Sequence, residues 1–133
     1  MKVEKKTRLL AAAPIVQSSD GQVKVTSVSN EGRTEYLTYG EKWTMRGSGF
    51  NPGIDEGVRW IPDVAVECPG DSSEATHFLS LVYAADGKKM ELTPRPDCPP
   101  PSSGTYGNAK LSMMTIKDDE QEVLEIPVKL IVP

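Results

Sequence analysis

Residues 44–63, TMRGSGFNPGIDEGVRWIPD, decide how the chain folds. The stretch holds Gly47, Gly49, Gly53 and Gly57, with Pro52 and Pro62, and it has a basic residue on either side of its centre. Three readings compete. Gly47-Ser48-Gly49 could cradle an anion, Asp55-Glu56 could be half of a metal site, or one β-strand could be handing over to the next. A dinucleotide fingerprint needs a strand, a glycine turn and a helix, and a P-loop needs Gly-Lys-Ser/Thr. Here Phe50-Asn51-Pro52-Gly53 follows, which is turn chemistry. The third reading is favoured.

The flanks support it. Before the loop, EKWTMRG alternates, with Trp43 and Met45 inward and Lys42, Thr44 and Arg46 outward. After it, VRWI resumes, with Val58 and Trp60 expected inward and Arg59 outward, and Pro62 limits the strand. Further strands are expected at QVKVTSVS (22–29), DVAVEC, NAKLSMMTI and EVLEIPVKLIV. FLSLVYAADGKKMELTP reads as a hairpin turning at Asp86-Gly87. In the last strand Leu124, Ile126, Val128, Leu130 and Val132 share a face, and Pro127 on the other face argues for an edge position or a strand that switches sheets. RPDCPPPSSG fits neither a helix nor a central strand, because proline lacks an N–H donor. The expectation is an all-β chain, an Ig-like antiparallel β-sandwich of about seven or eight strands. Residues 21–133 form the domain and residues 1–20 a basic and apolar arm.

The 133 residues suffice for one domain with its own core. Net charge is −4, yet residues 1–8 carry a local +3, so the remainder is at −7. An acidic body is a poor surface for a nucleic-acid backbone, whose affinity comes from phosphate neutralisation. No stretch approaches a membrane span. The lysine-rich start and LLAAAPIV loosely mimic a signal peptide, but the apolar run is short, Glu4 interrupts the charges and Pro14 breaks the run. A cytoplasmic or virion location is expected over secretion.

Candidate chemistry is sparse. Asp55-Glu56 and Asp118-Asp119-Glu120 lack the spacing of a calcium loop. His77 with Asp71 and Ser72 or Ser73 could suggest a triad, but no Gly-x-Ser-x-Gly turn exposes a nucleophile. Cys68 and Cys98 cannot make a zinc site by themselves and are expected to be free thiols. No catalytic residue, cofactor or metal is assigned. Among the aromatic residues, Trp43 and Trp60 are expected to fill the core, and Tyr36 and Tyr39, which lie in a turn region, to be available for contact.

The cadence YLTYGEKWTMRGSGFN…GIDEGVRWI resembles the TIG-like Ig domain at the C-terminus of some Bacteroidetes histone-like (HU-related) proteins. Gly40 to Gly47, then Asp55 to Val58, follow that family's order, and SSGTYGNAKLSMMT (102–115) is similar to its Gly-x-Tyr strand. The resemblance spans roughly residues 22–133 and rests on structural glycines. The HU-like half is not seen here, and the proline run around Cys98 departs from the pattern. The resemblance implies a sandwich and an accessory role, with no catalytic residues to carry over.

The expected function is that of a non-enzymatic structural or accessory module, acting through protein–protein contacts in a phage virion or bacterial complex. The partner is another protein or a second copy, met through the arm. Lys5, Lys6 and Arg8 would steer the encounter, while Leu9, Leu10, Ile15 and Val16 dock, with Tyr36 and Tyr39 contributing. Two alternatives are a nucleoid-associated protein whose basic arm touches DNA and an extracellular carbohydrate-binding or adhesion module.

Overall fold

The computed structural model describes residues 15–30, 35–72 and 75–133. The nine strands found there are β1 (Val16–Gln17), β2 (Lys24–Asn30), β3 (Leu37–Thr38), β4 (Trp43–Ser48), β5 (Trp60–Glu67), β6 (His77–Tyr83), β7 (Lys89–Pro94), β8 (Gly104–Lys117) and β9 (Glu120–Val132). No helix occurs among the described residues. The chain is all-β. The strands form one continuous sheet in the order β1-β2-β4-β7-β6-β5-β8-β9-β3, curled into a half-barrel. Every pairing is antiparallel except β3 with β9.

The strand count exceeds the expectation because β1 and β3 are only two residues long and lie where the sequence suggests an arm and a turn. β1 moves the start of the fold. Val16 pairs with Val25 and Gln17 with Lys24, so residues 16–20 belong with the sheet rather than with an arm ending at residue 20. Lys5, Lys6, Arg8, Leu9 and Leu10 lie outside the described residues.

Two limbs make up the sheet, and β5 and β6 join them through just two register pairs, Ala65 with Phe78 and Val66 with His77. The Tyr83 hydroxyl also donates to the Ile61 carbonyl across this joint. One limb contributes Trp43, Met45, Leu79, Met90 and Leu92 to the core, and the other contributes Ile61, Val64, Leu111, Met113 and Leu130. Each is fully buried or nearly so, which stabilises the fold by roughly 1.5–3 kcal/mol per large apolar side chain. The hairpins follow local chemistry: Gly87 turns β6 into β7 at φ 71°, and Asp118 turns β8 into β9 at φ 54°.

Strict alternation fails at bulges, and one of them reverses an expectation. Trp60 pairs with Ile116 but Asp63 with Met114, so β5 spends one residue more than β8 between those pairs. Pro62, which cannot donate to the ladder, sits inside that irregularity. One extra residue flips every side chain before it to the other face. Val64 and Val66 face the core, but upstream it is Ile61 and Arg59 that are buried, while Trp60 and Val58 are half-exposed. The expected outward Arg59 and fully buried Trp60 are thus both corrected.

Candidate interaction surface and a buried charge network

The glycines of the opening stretch serve packing. A Cβ on Gly47 would stand 1.8 Å from the Lys24 carbonyl oxygen, and one on Gly49 1.8 Å from that of Gln22. Gly49 also has a positive φ of 78°. The backbone of β2 lies directly against Gly47, and the segment leading into β2 lies against Gly49, so both are narrow by necessity and no anion cradle forms there.

The two margins of the curled sheet, β2 and β9, are not paired with each other among the described residues and are fastened only near their ends. At one end β3 bridges them: Tyr39 N–H donates to the Ile131 carbonyl at 2.8 Å, and Thr38 N–H to Asn30 Oδ1 at 2.9 Å. At the other end the Ser19 N–H and hydroxyl donate to the Glu122 carboxylate at 3.1 Å. Between these fastenings β9 has no strand partner on its outer side from Glu120 to Lys129 among the described residues, and β2 has none beyond Val25. Pro127 lies on this open side of β9, in the edge position its missing N–H requires.

Exposed apolar side chains gather on the same margins. Ile15 precedes β1 and is 63% exposed, Tyr36 precedes β3, and Val123 and Ile131 lie on β9. Val16 is partly buried against the core. The Lys129 ammonium stands 6.0 Å from the Tyr36 ring centroid. Tyr39, expected to be available for contact, is instead buried edge-on against Trp43 with ring centroids 6.3 Å apart. It turns inward because its backbone is tied to β9, and its hydroxyl has no hydrogen-bond partner. Val123 and Ile131 were legible as the outward residues between the inward ones of β9, but alternation alone did not mark them as a surface.

Where the margins are fastened by Ser19, the parity-flipped Arg59 organises a charge network. Its side chain is only 4% exposed. Nε donates to Asp20 Oδ2 at 3.1 Å and Nη1 to Thr115 Oγ1 at 3.1 Å, and Nη2 stands 3.8 Å from Glu122 Oε1. Arg59 N–H donates to Gln22 Oε1 at 2.8 Å, and Asn51 Nδ2 donates to the Arg59 carbonyl at 3.0 Å. The Asp20 carboxyl is held well below its ordinary range, first by the Ser18 hydroxyl, then by Gln22 N–H and the Arg59 guanidinium, against the opposing effect of burial. The network joins the β1–β2 turn, β5, β8 and β9, and it acts as a clamp.

At the other end of β5, His77 Nε2 lies 2.8 Å from Asp71 Oδ2 and Nδ1 lies 2.8 Å from the Pro99 carbonyl oxygen. Asp71 Oδ1 accepts the Ser102 N–H at 2.8 Å, and the Ser72 hydroxyl meets that of Ser102 at 2.7 Å. Both ring nitrogens face acceptors, so neither is directed at a serine hydroxyl. The arrangement ties the proline-rich loop to β6, and His77 is a buried strand residue rather than a loop one. Ser73 lies outside the described residues. Cys68 and Cys98 are free, and burial, with Asp71 nearby, pushes the Cys68 thiol up to about 11. Such a thiol is a poor nucleophile at neutral pH. Gly57 N–H donates to Asp118 Oδ1 at 3.1 Å, bringing the two acidic runs together. Among the described residues, no group of three or more His, Cys, Asp or Glu is placed to hold a metal.

No protein-family model matches this chain, and no curated protein or solved structure shows a significant similarity to it.

Proposed function

We propose that the chain is a non-enzymatic, Ig-like structural or accessory module that works by protein–protein contact in a larger assembly, of the kind found in a phage virion or bacterial complex. The observation that carries this reading is the open outer side of β9, bordered by exposed Ile15, Tyr36, Val123 and Ile131. Unpaired strand edges with apolar neighbours are templates for strand addition. The occupant we assign is the N-terminal segment of a second copy. That segment is basic and then apolar, and the margin begins with Asp118, Asp119, Glu120 and Glu122 and continues to Glu125. Opposite charge would steer the encounter, and alternate apolar residues would then dock.

The test compares the full chain with a version beginning at Ile15 and with Val123→Lys/Ile131→Lys, by size-exclusion chromatography with light scattering and by thermal melting. The full chain is expected to self-associate, and both variants to be monomeric with melting midpoints unchanged when dilute. A full chain that stays monomeric refutes assembly between copies. A truncated chain that is monomeric but strongly destabilised assigns the segment to its own sheet instead.

A further inference from the structure

At the tip of the β6–β7 hairpin, Arg46 of β4 with Ala84, Ala85, Asp86, Lys88 and Lys89 lines an open surface cleft of about 420 Å³. Strand register sets Arg46 directly opposite Lys89. Like charges in that position repel and weaken a sheet. No ion pair offsets them: Lys42, Arg59, Arg95, Lys110 and Lys117 each have an acidic partner, whereas Arg46, Lys88 and Lys89 have none among the described residues. The single acid of the lining, Asp86, has Oδ1 engaged by the Lys88 N–H at 3.0 Å as part of the turn.

The floor beneath these cations is held on both flanks. Ala84 N–H donates to the Lys89 carbonyl at 2.9 Å and Gly87 N–H to that of Ala84 at 3.1 Å. Gly47 N–H donates to the Lys88 carbonyl at 3.0 Å, and Phe50 N–H to that of Gly87 at 2.9 Å. Three cations stand on backbone that is already ordered, on a protein whose overall charge is −4. We propose that this cleft binds a small oxyanion of the phosphate class, either free or as the phosphate group of a small molecule. The Arg46 fork takes two oxygens, and Lys88 and Lys89 neutralise the remaining charge. Three cations against Asp86 leave a local +2, which matches a dianion better than a monocarboxylate. A nucleic-acid backbone needs a longer basic stripe than this.

The experiment is a titration of the isotope-labelled full chain with inorganic phosphate, and in a second arm glycerol phosphate, at constant ionic strength, followed by amide chemical shifts. The expected result is saturable shifts confined to residues 46–47 and 84–89. Affinity should fall about tenfold or more in Arg46→Gln/Lys89→Gln and stay unchanged in Lys110→Gln. Saturation by phosphate alone assigns a free anion, and saturation by both assigns a phosphate group. The double variant removes a repulsive pair, so its melting midpoint is expected to be equal or higher, which separates lost binding from lost folding. Shifts that never saturate, that spread over other lysines or the N-terminal segment, or that persist in the double variant overturn the proposal. So does a short DNA duplex that produces the same shifts with higher affinity.

Discussion

Replacing Arg59 by methionine probes the clamp directly. Methionine keeps the apolar stem of the side chain out to about the position of Nε but removes its Nε contact to Asp20 and its Nη1 contact to Thr115, both 3.1 Å. Hydrogen bonds to a charged group contribute about 1.5–3 kcal/mol each, and breaking a buried ion pair typically costs about 3–5 kcal/mol. Here the upper figure is discounted. Asp20 and Glu122 remain 22% and 29% exposed and can recruit water, the Glu122 contact is already long at 3.8 Å, and Thr115 still donates to the Glu122 carbonyl at 2.9 Å. A loss of about 2–4 kcal/mol is expected. It should be read as a lower urea midpoint at unchanged slope, with Arg59→Lys falling between the two. The pH dependence adds a second readout. Asp20 titrates lower in the folded chain than its ordinary value of 3.8, so its contribution is present above that value and is lost as pH falls below it toward the folded value. The acid-induced loss should shrink in Arg59→Met but persist, because Ser18 and Gln22 still hold the carboxylate. A methionine variant as stable as the parent at neutral pH would show that Arg59 only packs its stem, and the clamp would be wrong.

Two further substitutions test the packing. Gly49→Ala combines a positive φ with a Cβ placed 1.8 Å from the Gln22 carbonyl oxygen, and a loss of more than about 2 kcal/mol in chemical denaturation is expected; a smaller change would mean that the backbone at Gln22 yields easily. Tyr39→Phe removes a buried hydroxyl that has no partner and should stabilise by up to about 1 kcal/mol, whereas a clear loss in the melting midpoint would reveal a hydrogen bond to that hydroxyl.

What the sequence reveals and what it hides follow the reach of the interactions. The β6–β7 hairpin was legible because a turn dipeptide and two alternating flanks lie within a short stretch of chain. Most of β9 was legible, with Pro127 read as marking an edge or a switch between sheets, although the strand begins two residues earlier, at Glu120, and Val128 is only partly buried. The β5 entry was not, since alternation counted back from Val66 and Val64 arrives at Trp60 and Val58, and only the bulge at Pro62 hands those places to Ile61 and Arg59. Pro62 was read as limiting a strand, yet β5 runs through it from Trp60 to Glu67, because nothing local says whether a proline ends a strand or bulges it. The clamp was hidden for another reason, because Asp20, Arg59, Thr115 and Glu122 meet only after the sheet has curled. Tyr39 looked like a turn residue because its partner strand, β9, is more than ninety positions away. The open margin follows from strand order, which periodicity does not encode.

The order of the strands also governs how the chain comes off the ribosome. β6 and β7 can pair as soon as they emerge, since a short turn joins them, whereas β4 must wait for β7, the strand it pairs with across the intervening β5 and β6. The wall that covers their apolar face is built by β5, β8 and β9, and β5 is joined to β6 by only two residue pairs. Until residues 104–132 arrive, Trp43, Met45, Leu79, Met90 and Leu92 therefore face solvent on a half-built sheet. Nascent chains of this kind are exposed to aggregation and are natural clients of chaperones. The closing hairpin, with its long strands and its turn at Asp118, can form by itself and then dock as one piece, so the vulnerable interval ends in a single late step.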